Sequence, residues 1–270
     1  MVTEPQCETS RAVESLKALQ SLVPDSGLKN LAQVEEMIKE LISEEYTPYL
    51  LGNAALHISF SCKRCGRCCV DNPNIALSLE DCRSMANRLG LSSKRFIIEY
   101  TVPHVLSREK VGNARMIKKA EGDYCPLYNP KMPGCSIHES KPQVCRAAYY
   151  LAKMNLVLCE EAKSFSTFPQ CPGDVELRAR LKDLREKLKE DQRAARDAER
   201  VAHSTQPEHK LFRLLLRLKG IEIYFGEDKA STLARKLGLR RMPHDEELLP
   251  AAFLYASTLR GPPNSEGARP

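Results

Sequence analysis

Cys62-Lys63-Arg64-Cys65-Gly66-Arg67-Cys68-Cys69 is the stretch on which the reading of this chain turns. Four thiols stand within eight residues, with Gly66 and basic side chains between them. A Cys-x2-Cys turn brings two sulfurs to one metal because the chain folds back over it. Three cysteines spaced by two residues also form the run that wraps one [4Fe–4S] cluster in bacterial ferredoxins, with a fourth ligand arriving from far away. Zinc sites more often pair two separate Cys-x2-Cys turns. The spacing therefore tilts toward an iron–sulfur cluster, a [4Fe–4S] cluster in particular, with Zn2+ as the alternative. Cys69 follows Cys68 directly. Adjacent side chains in an irregular loop point different ways, so the two are expected to serve different sites.

Further thiols stand downstream in Cys125-Pro126-Leu127, Cys135-Ser136-Ile137-His138, Lys141-Pro142-Gln143-Val144-Cys145-Arg146 and Cys171-Pro172-Gly173. The candidate metal ligands are Cys62, Cys65, Cys68, Cys69, Cys125, Cys135, Cys145 and Cys171. Eight thiolates suit two four-sulfur sites, or one cluster and one smaller site. Pro142 fits the first turn of a helix carrying Val144, Cys145, Ala148, Tyr149 and Ala152. The positive end of that helix favours the Cys145 thiolate, and Arg146 is placed to offset cluster charge. His138 is a further possible zinc ligand by spacing, although a lone loop histidine more often packs or hydrogen-bonds. Cys82 and Cys159 read as buried structural thiols, and Cys7 as part of a frayed terminus.

The chain has 270 residues, eleven cysteines and a net charge of +6. An odd number of closely spaced thiols, behind an N-terminus that lacks the apolar core of a signal peptide, reads as metal binding in the cytoplasm rather than a disulfide framework. No run of eighteen apolar residues suggests a membrane span. Basic and acidic residues alternate without a stripe that would track a phosphate backbone, and there is no Trp. Nucleic acid is therefore not an expected partner.

Four segments follow from the patterning. Residues 1–59 read as an N-terminal helical extension. Val13, Leu16, Leu19 and Val23 share one helix face, Pro24-Asp25-Ser26-Gly27 stops that helix, and Leu31, Val34, Ile38 and Leu41 mark a second. Residues 60–174 form the cysteine-cluster domain. Within it 61–75 and 121–145 read as loops, and Ser78 caps a helix over Leu79–Leu89 that Gly90 ends. A short helix follows over Lys94–Tyr100, then a hairpin with Val105–Lys110 and Ala114–Ala120 as arms, and a strand or helix near Asn155–Cys159. Residues 175–260 read as a C-terminal helical extension. It starts with a charged helix over 175–202 whose narrow seam is Leu177, Leu181, Leu184 and Leu188. Residues 261–270 read as a disordered tail. The fold class expected is α+β, mostly helical, a metal-stapled cysteine-rich domain with helical extensions at both ends. Loops so rich in Pro, Gly and Cys are expected to bury little apolar area of their own.

Phe60-Ser61-Cys62-Lys63-Arg64-Cys65-Gly66-Arg67-Cys68-Cys69 resembles the opening signature of the YkgJ-like cysteine-cluster family of zinc- or iron-chelating proteins, an aromatic residue followed by CxxCGxCC. Cys125-Pro126, then Cys135 to Arg146, then Cys171-Pro172-Gly173 are similar to the family's later segments in the same order. Family members usually continue after C-R with an aromatic-proline pair, where this chain has Ala147-Ala148-Tyr149-Tyr150. The resemblance implies a metal or iron–sulfur centre. One branch resembles flagellin lysine N-methylase, an enzyme that uses S-adenosylmethionine.

Three functions compete at this level. The first is a cluster protein that carries electrons, handles metal or uses its cluster as a scaffold. The second is an S-adenosylmethionine-dependent protein lysine methyltransferase, with Tyr149 and Tyr150 lining a lysine channel, although core aromatics on a helix are the more common use of such residues. No Gly-rich strand-to-helix turn for the methyl donor is present. The third is a structural zinc module that docks protein partners through the C-terminal helices, including the leucine-rich stretch 210–219. No HExxH, GxSxG or GxxxxGK[ST] grouping points to another reaction.

Overall fold

Leu211-Phe212-Arg213-Leu214-Leu215-Leu216 holds five large apolar residues around one arginine, and a helix with so wide an apolar face has to lie largely inside. The computed structural model describes residues 4–42, 47–71, 75–103, 115–120, 122–129, 131, 134–150 and 171–259. Its helices in chain order are α1 (Glu4–Ser21), α2 (Asp25–Lys29), α3 (Leu31–Leu41), α4 (Thr47–Ser59), α5 (Arg67–Asp71), α6 (Leu79–Arg88), α7 (Ser93–Tyr100), α8 (Gln143–Arg146), α9 (Pro172–Glu190), α10 (Gln192–His203), α11 (Pro207–Phe225), α12 (Glu227–Lys236) and α13 (Asp245–Thr258). The strands are β1 (Ala76–Leu77), β2 (Thr101–Pro103), β3 (Arg115–Ile117), β4 (Tyr128–Asn129) and β5 (Gly134–Cys135). The chain is predominantly helical with a few short strands, the α+β class expected. Among the described residues no helix is long and apolar enough to cross a membrane.

Two compact units divide the chain, one from residues 1–60 together with 176–270 and the other from 61–175. The segments flanking the cysteine-rich region, taken from sequence as separate extensions, therefore share one helical unit. Its centre is α11, where Leu211, Phe212, Leu214, Leu215, Leu216 and Leu218 are all buried. Around it pack Leu16 and Leu19 of α1, Leu50 and Ala54 of α4, and Leu248, Ala251 and Leu254 of α13. Ser15 on α1 donates to the Glu247 carbonyl on α13 at 2.6 Å, tying residues 232 positions apart. Arg185 of α9 donates to the carbonyls of Ser257 (2.8 Å) and Leu259 (2.9 Å), meeting the unpaired end of α13. The leucines of 210–219 form the core of this unit.

Several sequence expectations change in detail. On α1 the inward residue is Ala12, while Val13 is exposed. Val34 and Ile38 of α3 point inward, but Leu41 is exposed. The charged segment 175–202 is two helices, broken where the Asp191 side chain accepts from the N–H groups of Arg193 and Ala194. Leu177, Leu181 and Leu184 are buried within the protein's own fold. Cys7 lies half-buried inside α1 rather than in a frayed end.

The cysteine-rich unit has an apolar core of its own, built mainly by its helices and strands rather than by its loops. Ile75, Leu77, Met85, Phe96 and Ile117 form it with Cys82, and the loop residues Leu127 and Ile137 close it. Ser78 caps α6 as expected, through a reciprocal box with Asp81, and Gly90 follows the helix in the left-handed region. The sheet has the order β1-β3-β2, antiparallel throughout, with Ala76 opposite Met116 and Thr101 opposite Ile117. So β3 pairs with β2 and β1. The first arm and turn of the hairpin expected at 105–113 lie outside the described residues, as do Ala152, the segment 155–159 with Cys159, and the tail 261–270.

One carboxylate in the helical unit carries a pH signature. Glu247 accepts two bonds from the Arg241 guanidinium, at 2.7 and 2.9 Å, and one from the His244 N–H at 2.6 Å. The guanidinium, with the backbone N–H, holds its pKa down from 4.5 to about 2. A depressed carboxyl stabilises the fold fully above its unfolded pKa and loses that contribution as pH falls through the folded value. We expect an acid titration followed by circular dichroism to show helical stability falling between about pH 4.5 and 2. Glu247→Gln should lose this limb of the curve and be less stable than the parent at neutral pH.

Candidate metal centre

Gly66 decides where the first cysteines go. Its φ is +78°, and a Cβ there would sit 2.5 Å from the Tyr128 ring, so both backbone and space require glycine. The chain leaves this turn directly into α5, closed by the Cys69 N–H to the Gly66 carbonyl at 2.9 Å. Residues 67–71 are therefore helical rather than loop, and Cys68 and Cys69 are presented from one turn. The neighbouring Cys68 raises the Cys69 thiol. Lys119 donates to the carbonyls of Cys69 (2.6 Å) and Val70 (3.0 Å), so a cation sits at the negative end of this short helix.

Cys68 is the hub of the arrangement. Cys68, Cys125, Cys135 and Cys145 act on one another electrostatically in every pairing. Burial is the main cause pushing Cys125 and Cys135 up, and it lifts Cys145 to about 12, with the other three thiols adding to the rise. Cys69 is raised first by its bond to Cys68, then by burial and by the nearness of Cys125 and Cys145. These four central thiols come from separate pieces of chain: α5, the segment before β4, β5, and α8. Cys62 is exposed and adds to the rise at Cys135, and Cys65 does the same at Cys171. The three cysteines of the Cys-x2-Cys-x2-Cys run thus each act on downstream thiols, Cys62 and Cys68 both on Cys135 and Cys65 on Cys171.

Local geometry places donors on several sulfurs. The N–H two residues on points to the sulfur of Cys62 (Arg64, 3.4 Å), of Cys125 (Leu127), of Cys135 (Ile137) and of Cys171 (Gly173). Such bonds favour the charged form that metals bind. The turn at Cys62 is reinforced by Arg64 at φ +54° and by Gly134, where a Cβ would meet the Arg64 side chain at 2.6 Å. Among the described residues no three His, Cys, Asp or Glu side chains already stand at the geometry needed to hold a metal ion. The thiols share a neighbourhood, and a metal would have to draw them in.

Two positioning residues were invisible to sequence reasoning. Asp81 accepts from the Ser78 N–H with one oxygen (2.9 Å) and from the Gln143 N–H with the other (3.1 Å). It therefore caps α6 and also the first turn of α8, which carries Cys145. The Ser-x-x-Asp spacing was a readable signal for the first role only. Lys119 is the second. With Lys141 it supplies the positive charge that lowers nearby thiols, while Arg146, the residue favoured from sequence, is exposed. The helix from Gln143 ends at Arg146 and resumes at Ala148. His138 is half-buried in a single 3-10 turn, its pKa lowered by burial and by Lys141 and Arg64. Cys82 is fully buried in the apolar core, which accounts for it structurally.

Tyr149 and Tyr150, the residues read from sequence as candidates for a lysine channel, lie in the interior. Both are buried, and the Tyr149 hydroxyl donates to the buried Asp174 carboxylate at 2.7 Å. They are core aromatics, so nothing in their placement favours methyl transfer.

Residues 61–171 match the sequence profile of the CxxCxxCC family, described as a "putative zinc- or iron-chelating domain". The segment is similar to that family, whose description names metal chelation as its property. Neither a curated protein nor a solved structure matches this chain.

Gly66→Ala should strain the turn by on the order of 1–3 kcal/mol and push the Tyr128 ring away. The expected readout is faster amide exchange at Cys69 and Cys125, whose N–H groups bond to Gly66 and Cys69 in this turn. Adding Tyr128→Ala should recover the steric part of the loss and leave the backbone part.

Proposed function

We propose that the cysteine-rich unit is a metal-stapled scaffold in which Cys68, Cys125, Cys135 and Cys145 provide one closed four-thiolate centre. The observation that supports this is the complete set of pairwise interactions among these four thiols, delivered by four separate pieces of chain. An all-sulfur donor set suits Zn2+ or an iron–sulfur cluster and disfavours hard cations such as magnesium. Four protein ligands leave no open position for substrate, which is the mark of a structural rather than a hydrolytic metal. The centre would join α5, β5 and α8 across the loops that the apolar core leaves loose. Partner docking, on this reading, falls to the exposed charged faces of α9 and α10.

The test is metal and sulfide analysis of protein purified without oxygen, for the parent and single Cys→Ser variants. About one zinc per chain, or about four iron with four sulfides, is expected for the parent. Cys68→Ser and Cys145→Ser should lose the metal, while Cys82→Ser should keep it. Stripping the metal should unfold residues 61–171 and leave most of the helical signal of α1, α4, α11 and α13. Metal retained in both Cys68→Ser and Cys145→Ser would overturn the assignment.

Electron transfer is a second reading, supported by one arrangement. Tyr128 lies against Gly66 and stacks on Tyr124 at 4.6 Å, and Tyr124 is exposed. The pair would connect an iron–sulfur centre to the surface. Visible absorption that bleaches reversibly with dithionite is expected on this reading, and a colourless zinc protein rules it out.

A further inference from the structure

We infer that the outer face of the small sheet is a binding site for a planar aromatic anion of the mononucleotide class, a ring system carrying a phosphate. Side chains alternate across a strand, so Met116 and the following Lys118 lie on the face opposite Ile117, which enters the core. Val102 of β2 stands directly across from Met116, and the two make an apolar floor. The Lys118 N–H donates to the Tyr100 carbonyl at 2.8 Å, which holds the chain in register one residue past β3. Asp123, Tyr124 and Pro126 then wall a pocket of about 480 Å³ over this floor. Small-molecule sites commonly measure about 300–1,000 Å³ and combine an apolar lining with a few polar groups.

Three side chains in the pocket define the ligand. Tyr124 stacks on Tyr128 with ring centroids 4.6 Å apart and planes 11° from parallel, yet it is 55% exposed. One face of its ring is covered, and the other is left for a second flat ring. Lys118 is exposed at the same pocket and offers its charge to a phosphate. The neighbouring Lys119 is committed elsewhere, to the Cys69 and Val70 carbonyls. The Asp123 carboxylate accepts from a ring N–H or a sugar hydroxyl. A free phosphate would leave Tyr124, Val102 and Met116 uncovered, and an apolar ligand would leave Lys118 and Asp123 unanswered. A ring with N–H groups and a phosphate meets all of them. No thiol takes part, so the site stands independently of the metal centre.

The experiment titrates the full-length chain, as purified without oxygen, with flavin mononucleotide and with adenosine monophosphate. Methyl-labelled methionine reports the site, the Met116 resonance being assigned through Met116→Leu. A stacked ring should shift that resonance saturably with either ligand, and the order of the two affinities tells which ring the pocket takes. Tyr124→Ala should weaken binding about 5- to 150-fold, the range of one lost ring-on-ring stack. Lys118→Gln, at an exposed position that leaves the fold intact, should weaken flavin mononucleotide about 2- to 5-fold and leave riboflavin, which lacks the phosphate, unchanged. The inference is overturned if neither nucleotide moves Met116 at up to about 1 mM. It is equally overturned if Lys118→Gln binds flavin mononucleotide as tightly as the parent, or if riboflavin loses as much affinity in that variant as the nucleotide does.

Discussion

The left-handed turn at Gly66, pressed against the face of Tyr128, sets the direction of everything that follows it in the cysteine-rich unit. A side chain at that position would collide with the ring, and the φ of +78° would strain any residue but glycine. Because the chain turns there and at once becomes helical, Cys68 and Cys69 come off one short helix toward the apolar core. Cys65, just before the turn, acts instead on Cys171. One compact motif thereby feeds separate groups of thiols. The Cys125 N–H then bonds to the Cys69 carbonyl at 3.2 Å, so the second half of the cysteine set is hung on the first.

The apolar core and the thiols divide the work of holding this unit. Phe96, Met85, Leu77 and Ile117 are supplied by α6, α7 and the small sheet, elements with ordinary caps and ordinary pairing. What that core does not hold is the chain from Cys125 to Arg146, which has only a two-residue ladder between β4 and β5 and a four-residue helix. Leu127 and Ile137 pin it at two points. The thiols of Cys125, Cys135 and Cys145 lie along the same stretch, where bonds to a common metal add most, since a structural metal contributes its binding free energy to folding.

Local signals were readable from the sequence, and distant ones were not. Ser78 with Asp81, Gly90 after α6, and Pro142 before α8 announce themselves because a cap is a matter of neighbouring residues. The amphipathic spacing of α3 was readable for Val34 and Ile38, and the seam of α9 for its first three leucines. The first helix was read one residue off, since Ala12 and Val13 are both apolar and only packing against α13 chooses between them. The eight candidate thiols were found by type and spacing, but their grouping was not. Which cysteine faces which depends on the turn at Gly66 and on the reach of Asp81 to Gln143, 62 residues away. The union of the two chain ends into one unit was equally hidden, because contacts such as Ser15 with Glu247 leave no periodic trace.

That union has a consequence for biosynthesis. The helical unit is interrupted in sequence by residues 61–175, so α1 to α4 leave the ribosome long before α11 and α13 exist. At synthesis rates of about 5–20 residues per second, these helices spend on the order of ten seconds with their apolar faces uncovered. The inserted cysteine-rich unit, whose contacts lie within one continuous stretch, can complete itself during that interval. The order of folding is thus the reverse of the order of translation: the middle of the chain matures first, and its beginning waits for its end.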